Sequence, residues 1–231
     1  MSWTAATCVF PGACSQEEPP SRAEDSFHEG PSIDERVSHF PLVDGASWQY
    51  VGRTASGQWS APRTSSLRDA GEGRFVRVDG QNDRVETTYA RHGQQVRTLS
   101  QRRFAGETEL STTVYGEVGR VVLDEAWLEN ANRDDHVEYL HEEYAGTGEL
   151  TRREWRVYRY EVRSSFEPVT VPAGSFGCVR IRRTRIVGTS SGPVQETWFA
   201  RGVGLVQWLD PDAGQLEVLA AVDVPGGVEA P

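Results

Sequence analysis

Two histidines and three nearby carboxylates form the set of metal-ligand residue types that this sequence concentrates most densely. They are His136, Glu138, His141, Glu142 and Glu143. Imidazole and carboxylate groups bind zinc, and two histidines with one acid can form a catalytic site. However, His136 and His141 would lie on opposite faces of a strand, or about 140° apart on a helix. The HExxH pattern is absent. We therefore interpret this stretch as a solvated acidic loop, and we predict no metal site and no cofactor.

Nucleophilic catalysis requires a nucleophile, a base and a group that orients the base. Nothing pairs Cys178 with a particular histidine, so we expect Cys178 to be a small buried side chain. Gly202-Val203-Gly204 lacks the surroundings of a phosphate loop and is interpreted as a bend between strands. We predict no catalytic residues. A hydrolase that uses paired acids or the region 136–143 remains an alternative.

Seven aromatic residues in predicted strands indicate a different kind of site. They are Trp48, Tyr50, Trp155, Tyr158, Tyr160, Trp198 and Trp208. A curved sheet that closes on itself can hold a hydrophobic ligand against its concave face. The same rings could instead fill an ordinary core. The first alternative predicts a cavity lined by several of these side chains, and the second predicts rings packed tightly against one another.

The elements that must position these residues are β-strands. Alternating apolar and polar residues recur at intervals of about 8–14 residues, separated by turns rich in Gly, Pro and Ser. In one strand, Val179 and Ile181 share a face opposite Arg180 and Arg182. Residues 87–102 predict a hairpin, and residues 152–164 predict a long strand with apolar residues on both faces. The pattern favours an all-β fold, a curved, mostly antiparallel sheet or open barrel, with at most one short helix near residues 124–130.

The net charge of −10 disfavours nucleic acid as a partner, because a polyanion requires a basic surface. The densest basic cluster is Arg182, Arg183 and Arg185. It could contact an anion or could be a solvated strand face. Short charge runs usually lie at the surface, so we interpret the cluster as a solvated face.

The N-terminal residues resemble the cleavage site of a bacterial lipoprotein. Residues 1–14 are mostly small and apolar and end in Gly12-Ala13-Cys14, with a polar run directly after. Cys14 is the predicted lipidated residue, and Cys8 is a weaker candidate. The short apolar stretch and the missing Lys or Arg before it also fit a disordered soluble N-terminus. We predict a truncated signal over 1–14, a disordered acidic linker over 15–36, a single β domain over 37–225 and a flexible tail over 226–231.

Two further groups of residues carry a family resemblance. They are Phe40-Pro41-Leu42 with Trp48-Gln49-Tyr50 near the domain start, and Pro172-Ala173-Gly174 with Phe176 and Cys178, Glu196-Thr197-Trp198 and Gly202-Val203-Gly204-Leu205. These runs resemble a family of bacterial envelope lipoproteins that is usually placed with curved antiparallel sheets of the LolA/LppX type. The resemblance implies a fold and a compartment, the periplasmic side of the outer membrane or the exterior. It implies no activity and brings no catalytic residues.

These observations predict a non-enzymatic envelope lipoprotein that binds a hydrophobic ligand or lipid, or a partner protein of the envelope. An alternative is a scaffold or assembly component with a filled core. Membrane attachment is expected only through the N-terminal lipid, because no run of about 18 apolar residues occurs.

Overall fold

The computed structural model describes residue 34 and residues 37–80, 83–129 and 133–226, and these contain thirteen β-strands. The predicted signal over 1–14, with Cys8 and Cys14, the greater part of the predicted linker over 15–36 and residues 227–231 lie outside the described residues. A 3-10 helix covers Glu125–Glu129, which agrees with the short helix predicted near residues 124–130. The strands are β1 Ser47–Arg53, β2 Arg63–Gly71, β3 Arg74–Asp79, β4 Val85–His92, β5 Gln95–Ala105, β6 Thr108–Val114, β7 Arg120–Asp124, β8 Asp134–Ala145, β9 Leu150–Val171, β10 Gly174–Val187, β11 Ser190–Ala200, β12 Gly204–Asp210 and β13 Gln215–Asp223.

Antiparallel pairing joins twelve of these strands into a closed ring. The order is β4-β3-β2-β1-β13-β12-β11-β10-β9-β8-β6-β5, and β5 pairs again with β4. The remaining strand, β7, pairs with β5 beyond the end of β6. The predicted all-β class is confirmed, and the curved sheet is a closed barrel. In the described part of the chain, no helix has the length and apolar character needed to cross a bilayer.

The alternation of side chains along each strand divides the barrel into an inner and an outer face. On β10, Ile181 and Arg183 lie opposite Thr197 and Gln195 of β11, and opposite Val162 and Tyr160 of β9. Ile181, Val162 and Tyr160 are buried. This face is therefore the inner one, and its arginine lies inside the barrel together with its apolar residues.

A segment that precedes β1 crosses one end of the barrel. Phe40 contacts the rings of Tyr89 on β4 and Phe199 on β11, with centroid distances of 5.2 and 6.1 Å. These two strands are half a ring apart in the sheet order, so the Phe40 ring bridges opposite sides of the lumen. Two hydrogen bonds to its carbonyl groups fix the segment: Gly202 N–H donates to Ser38 O and the side-chain Nε of Arg201 donates to Val37 O, each over 2.8 Å. This end of the lumen is closed.

The prediction of a solvated acidic loop is wrong, because residues Asp134–Ala145 form strand β8. Its inner face carries Tyr139 and His141, which are only 1% and 3% exposed. Arginines of β9 neutralise its carboxylates, among them Arg159 beside Asp134 and Arg153 beside Glu142. Because these partners lie on the next strand and not within the acidic stretch itself, the local acidity alone suggested a loop.

Strand β9 is longer than the sequence pattern predicts. The predicted strand over 152–164 is part of one element of 22 residues, Leu150–Val171. The pairing register of β9 with β10 shifts near Cys178 and Arg180. The end of this hairpin bends toward β13, where Ala173 N–H donates to Leu219 O over 3.2 Å.

Candidate functional site

The lumen of the barrel contains a cavity of about 170 Å³. Its lining combines three arginines with aromatic and aliphatic side chains. The lining residues are Phe40, Arg77, Tyr89, Arg120, Val122, Tyr160, Ile181, Arg183, Gln195, Thr197, Phe199, Leu205 and Trp208. We call this space the lumen cavity.

The three arginines reach the lumen cavity from separate parts of the ring. Arg77 is on β3 and Arg183 is on β10, and these strands are half a ring apart. Arg120 is the first residue of β7, which pairs with β5. Side chains that are distant in sequence therefore converge in one space only because the ring closes.

Carboxylates compensate the charge of Arg77. Its Nε donates to Asp79 Oδ2 over 2.9 Å, and Arg63 forms a second ion pair with the same carboxylate. Arg63 also binds Glu217 Oε1 over 2.8 Å. Burial alone would raise the pKa of Asp79, but Arg77 and Arg63, with a hydrogen bond from Ser65, hold it below its ordinary value. This part of the lumen is a balanced network of two arginines and two acids.

Arg120 and Arg183 have neutral surroundings instead. Within the described chain, neither forms an ion pair with a carboxylate. Arg120 lies over the ring of Tyr115, 4.7 Å from its centroid, and makes one long contact of 3.5 Å to Thr98 Oγ1. Arg183 lies 5.0 Å from the centroid of Tyr158, and its Nη2 donates to Gln195 Oε1. The Nε of Arg120 is buried and has no hydrogen-bond partner.

The tyrosines around these arginines do not supply negative charge. Burial raises the pKa of Tyr139, Tyr160 and Tyr89 above the ordinary value for a phenol, against the opposing effect of nearby arginines. They therefore remain neutral near pH 7 and act as hydrogen-bonding groups. Tyr160 Oη donates to Val121 O over 2.7 Å, whereas the buried Tyr139 Oη has no partner.

The lumen cavity adjoins a small space against β1. That space, of about 10 Å³, is lined partly by Trp48 and Tyr50 and shares Phe40, Arg77 and Leu205 with the lumen cavity. Trp48 Nε1 donates to Val203 O over 2.7 Å, and Tyr50 Oη donates to Leu205 O over 3.0 Å. These bonds anchor Trp48 to the turn between β11 and β12 and Tyr50 to the start of β12.

The glycine that begins β12 permits this close approach. Gly204 has φ of +96°, a conformation that side chains with a Cβ rarely adopt. A Cβ at this position would lie 3.4 Å from Pro41 Cδ and 3.6 Å from Trp48 Nε1. The interpretation of residues 202–204 as a bend between strands agrees with this geometry.

The seven predicted aromatic residues fall into different environments. Tyr160 and Trp208 line the lumen cavity, and Trp48 and Tyr50 line the adjoining space. Tyr158 stacks on Tyr139 beside Arg183. The structure places the other two elsewhere: Trp198 is buried under Arg180 on the opposite face of β11, and Trp155 is 49% exposed.

Residues considered for metal binding or nucleophilic chemistry lie apart from one another. His136 pairs with Arg159, while His141 pairs with Glu154 on the opposite face of β8. Among the described residues, no group of three or more His, Cys, Asp or Glu side chains is arranged to hold a metal ion. Cys178 is free and buried, and burial, with a smaller effect of Glu167, raises the pKa of its thiol to about 12. A thiol with this pKa is a poor nucleophile.

A more open groove of about 310 Å³ lies where the segment 37–42 meets the 3-10 helix. Glu125 accepts bonds from Ser38 Oγ over 2.8 Å, from the backbone N–H of His39 over 2.7 Å and from His39 Nδ1 over 2.8 Å. Ser38 therefore faces the carboxylate and not the imidazole, unlike an activated serine. Glu125 fastens the segment that closes the barrel.

Sequence reasoning missed the three arginines of the lumen, although a signal for each was present. Arg183 follows Ile181 by two positions, so alternation assigns it to the buried face that Val179 and Ile181 define. Our interpretation of the basic cluster as a solvated face is therefore wrong for Arg183. Arg185 is partly exposed and forms an ion pair with Glu154 over 3.2 Å. Arg77 and Arg120 carried the same kind of signal, but no sequence pattern shows that their strands meet Arg183 across a lumen.

Comparisons with known proteins found weak similarity to solved structures. No family model matches the chain, and no curated protein matches it. A solved structure of an exported protein with a YmcC-like fold, from Bacteroides fragilis, is 15% identical, with a TM-score of 0.47 over 81% of this chain and 99% of that chain. A lipoprotein from Parabacteroides distasonis is 14% identical, with a TM-score of 0.44 over the same shares. Because identity and TM-score are both low, neither similarity indicates what this chain binds.

Proposed function

We propose that this protein is a non-enzymatic binding protein of the bacterial envelope that holds a small ligand with an apolar body inside its barrel. The observation that carries the proposal is the lumen cavity, where Trp208, Phe199 and Ile181 face open space and do not pack against one another completely. Close-packed interiors contain few voids larger than a water molecule. A space of this size with both apolar and polar lining is typical of a ligand site.

The compartment belongs to the proposal as well. The Gly12-Ala13-Cys14 junction supports export and lipid attachment at Cys14, and the resemblance of the domain to envelope lipoproteins supports the same location. On this proposal the lipid holds the protein at the membrane, while the barrel binds its ligand in the surrounding aqueous compartment.

A scaffold with a filled core is the alternative that the lumen cavity disfavours. That alternative predicts an uncovered apolar patch as the working surface. Exposed large apolar side chains do occur on the described surface, with Phe166 at 75% and Trp155 at 49%. Nothing in the described residues indicates what would cover them, so binding within the lumen is the better-supported function.

Native mass spectrometry of the full chain, purified gently from a bacterium, tests the proposal. We expect a fraction of molecules to carry additional mass that is released on denaturation. Thr197→Phe should remove that mass, because Thr197 lines the lumen cavity and a phenyl ring would occupy it. Thr170→Phe is the matched control, since Thr170 is exposed on β9.

Two results would contradict the proposal. One is a wild-type protein that carries no additional mass and also binds no small apolar compound added to it. The other is a bound mass that Thr197→Phe retains as fully as Thr170→Phe does, because the ligand would then lie outside the lumen. A circular dichroism spectrum of each variant shows whether the barrel has formed.

A further inference from the structure

We propose that the ligand of the lumen carries an anionic group, a carboxylate or a phosphate, that binds between Arg120 and Arg183. This inference rests on the proposed function, because it names the chemical class of the ligand held in the same cavity. It also assigns the two arginines as the residues that recognise that class.

The distribution of charge favours an anionic ligand. The chain as a whole has a net charge of −10, yet Arg120 and Arg183 face the lumen with no carboxylate partner among the described residues. Arg77 shows what a compensated arginine looks like in this barrel, since Asp79 binds it over 2.9 Å. Keeping a guanidinium away from water without a counter-charge is costly. An anion between Arg120 and Arg183 would remove that cost, because the ligand would supply the missing charge.

Arg120 and Arg183 come from separate strands but lie near the same tyrosine. Arg183 is opposite Tyr160 in the pairing of β10 with β9, and Tyr160 Oη donates to the carbonyl of Val121, the residue after Arg120, over 2.7 Å. Both also line the lumen cavity itself, from β7 and β10.

Hydrogen-bonding capacity near the two arginines is left unused. The Nε of Arg120 and the Oη of Tyr139 are buried and have no hydrogen-bond partner in the described part of the chain. Arg120 and Arg183 rest on the faces of Tyr115 and Tyr158, at 4.7 and 5.0 Å from the centroids. These contacts hold the planar groups in place and leave N–H donors for a ligand. Guanidinium groups bind carboxylate and phosphate oxygens through such donors.

The size of the lumen cavity limits the apolar part of the ligand. Its volume is about 170 Å³, close to the roughly 150 Å³ of a cavity that binds benzene in another protein. The body is therefore a single ring or a short acyl chain. Trp208, Phe199 and Leu205 surround it on the side of the cavity formed by β11 and β12.

NMR titration of the full chain with hexanoate, hexyl phosphate and 1-hexanol tests the inference. These probes share one apolar body and differ in the head group. We expect at least one of the two anions to bind about tenfold more tightly than the alcohol, as charge-assisted hydrogen bonds imply. A preference for hexanoate alone would identify a carboxylate, and a preference for hexyl phosphate alone would identify a phosphate.

Variants connect that preference to the two arginines. Arg183→Gln should weaken anion binding about tenfold more than it changes 1-hexanol binding. Arg182→Gln is the matched control, because it removes the same charge from the neighbouring position on the opposite face of β10. Thermal unfolding shows whether each variant is folded, and Arg120→Gln is the second test if Arg183→Gln does not fold.

The outcomes separate the inference from the function on which it rests. If 1-hexanol binds as tightly as both anions, or if Arg182→Gln and Arg183→Gln weaken the anions equally, the inference is overturned while binding within the lumen stands. If none of the three probes binds and native mass spectrometry also finds no bound ligand, both proposals fall.

Discussion

At the scale of single residues, the lumen contains two kinds of arginine. Arg63 and Arg77 belong to a closed network with Asp79 and Glu217, which stabilises the fold. Arg120 and Arg183 contact aromatic rings and neutral oxygen atoms, and neither forms an ion pair with a carboxylate among the described residues. Arginine therefore has two roles in the lumen. Arg63 and Arg77 stabilise the fold, whereas Arg120 and Arg183 are available to bind a ligand.

Asp79 gives the network a dependence on pH whose sign can be stated. Its pKa in the folded protein lies below the ordinary value of 3.8, so folding is favoured when the carboxylate is charged. The stabilisation is complete above about pH 3.8 and is lost as the pH falls through the lower, folded-state pKa. We expect Asp79→Asn to lower the free energy of unfolding at pH 7 by about 3 kcal/mol, because two arginines lose a partner.

Urea unfolding at several pH values measures this effect. The stability of Asp79→Asn should depend less on pH below about pH 4 than that of the wild type does, since the titrating group is gone. Asp134→Asn serves as a comparison, because Asp134 pairs with Arg159 at the surface and should contribute less. Equal losses in the two variants at pH 7 would show that the buried network has no special role.

At the scale of elements, the segment 37–42 is part of the core although it is not a strand. Phe40 packs between Tyr89 and Phe199 and lines both the lumen cavity and the space beside it. Phe40→Ala should lower the free energy of unfolding by about 3–5 kcal/mol, the usual cost of truncating a buried phenylalanine. Phe166→Ala is the control, since Phe166 is 75% exposed.

Denaturant midpoints of the two variants give the comparison. A loss for Phe40→Ala no larger than that for Phe166→Ala would mean that the segment rests on the barrel without stabilising it. A larger loss is expected because Phe40 joins strands on opposite sides of the ring, so that removing its ring opens space between them.

Local pattern was sufficient to predict most elements and insufficient to predict the site. Alternation and turn residues predicted the hairpin over 87–102, which is observed as β4 and β5. They failed at β8, where the partners that neutralise Asp134 and Glu142 lie on β9. They also could not place Arg120 beside Arg183, because that proximity arises from the order in which strands join the ring. Periodicity reports which face a residue occupies, but it does not report what lies across the lumen.

At the scale of the whole molecule, closure of the ring depends on the last strand. β13 pairs with β1 on one side and with β12 on the other. A chain that ends at Asp210 would lack β13, which leaves both neighbours with unpaired edges and opens the lumen to water. We expect this shortened chain to aggregate or to unfold without a cooperative transition.

Differential scanning calorimetry tests the expectation. A chain ending at residue 226 is the control, because it retains all thirteen strands and should show one sharp transition. If the chain ending at Asp210 melts as cooperatively as this control, ring closure is not required for folding.

The segment that closes the barrel also determines how the molecule would respond to mechanical force. Val37 and Ser38 are held by Arg201 and Gly202, and Glu125 adds three further bonds to Ser38 and His39. Tension applied to the chain before residue 37 would therefore load these few bonds first, and the ladders of β1 only afterwards. These bonds would therefore rupture before the strand ladders. A pull that breaks them would draw Phe40 out of the lumen while the ring of strands stays intact.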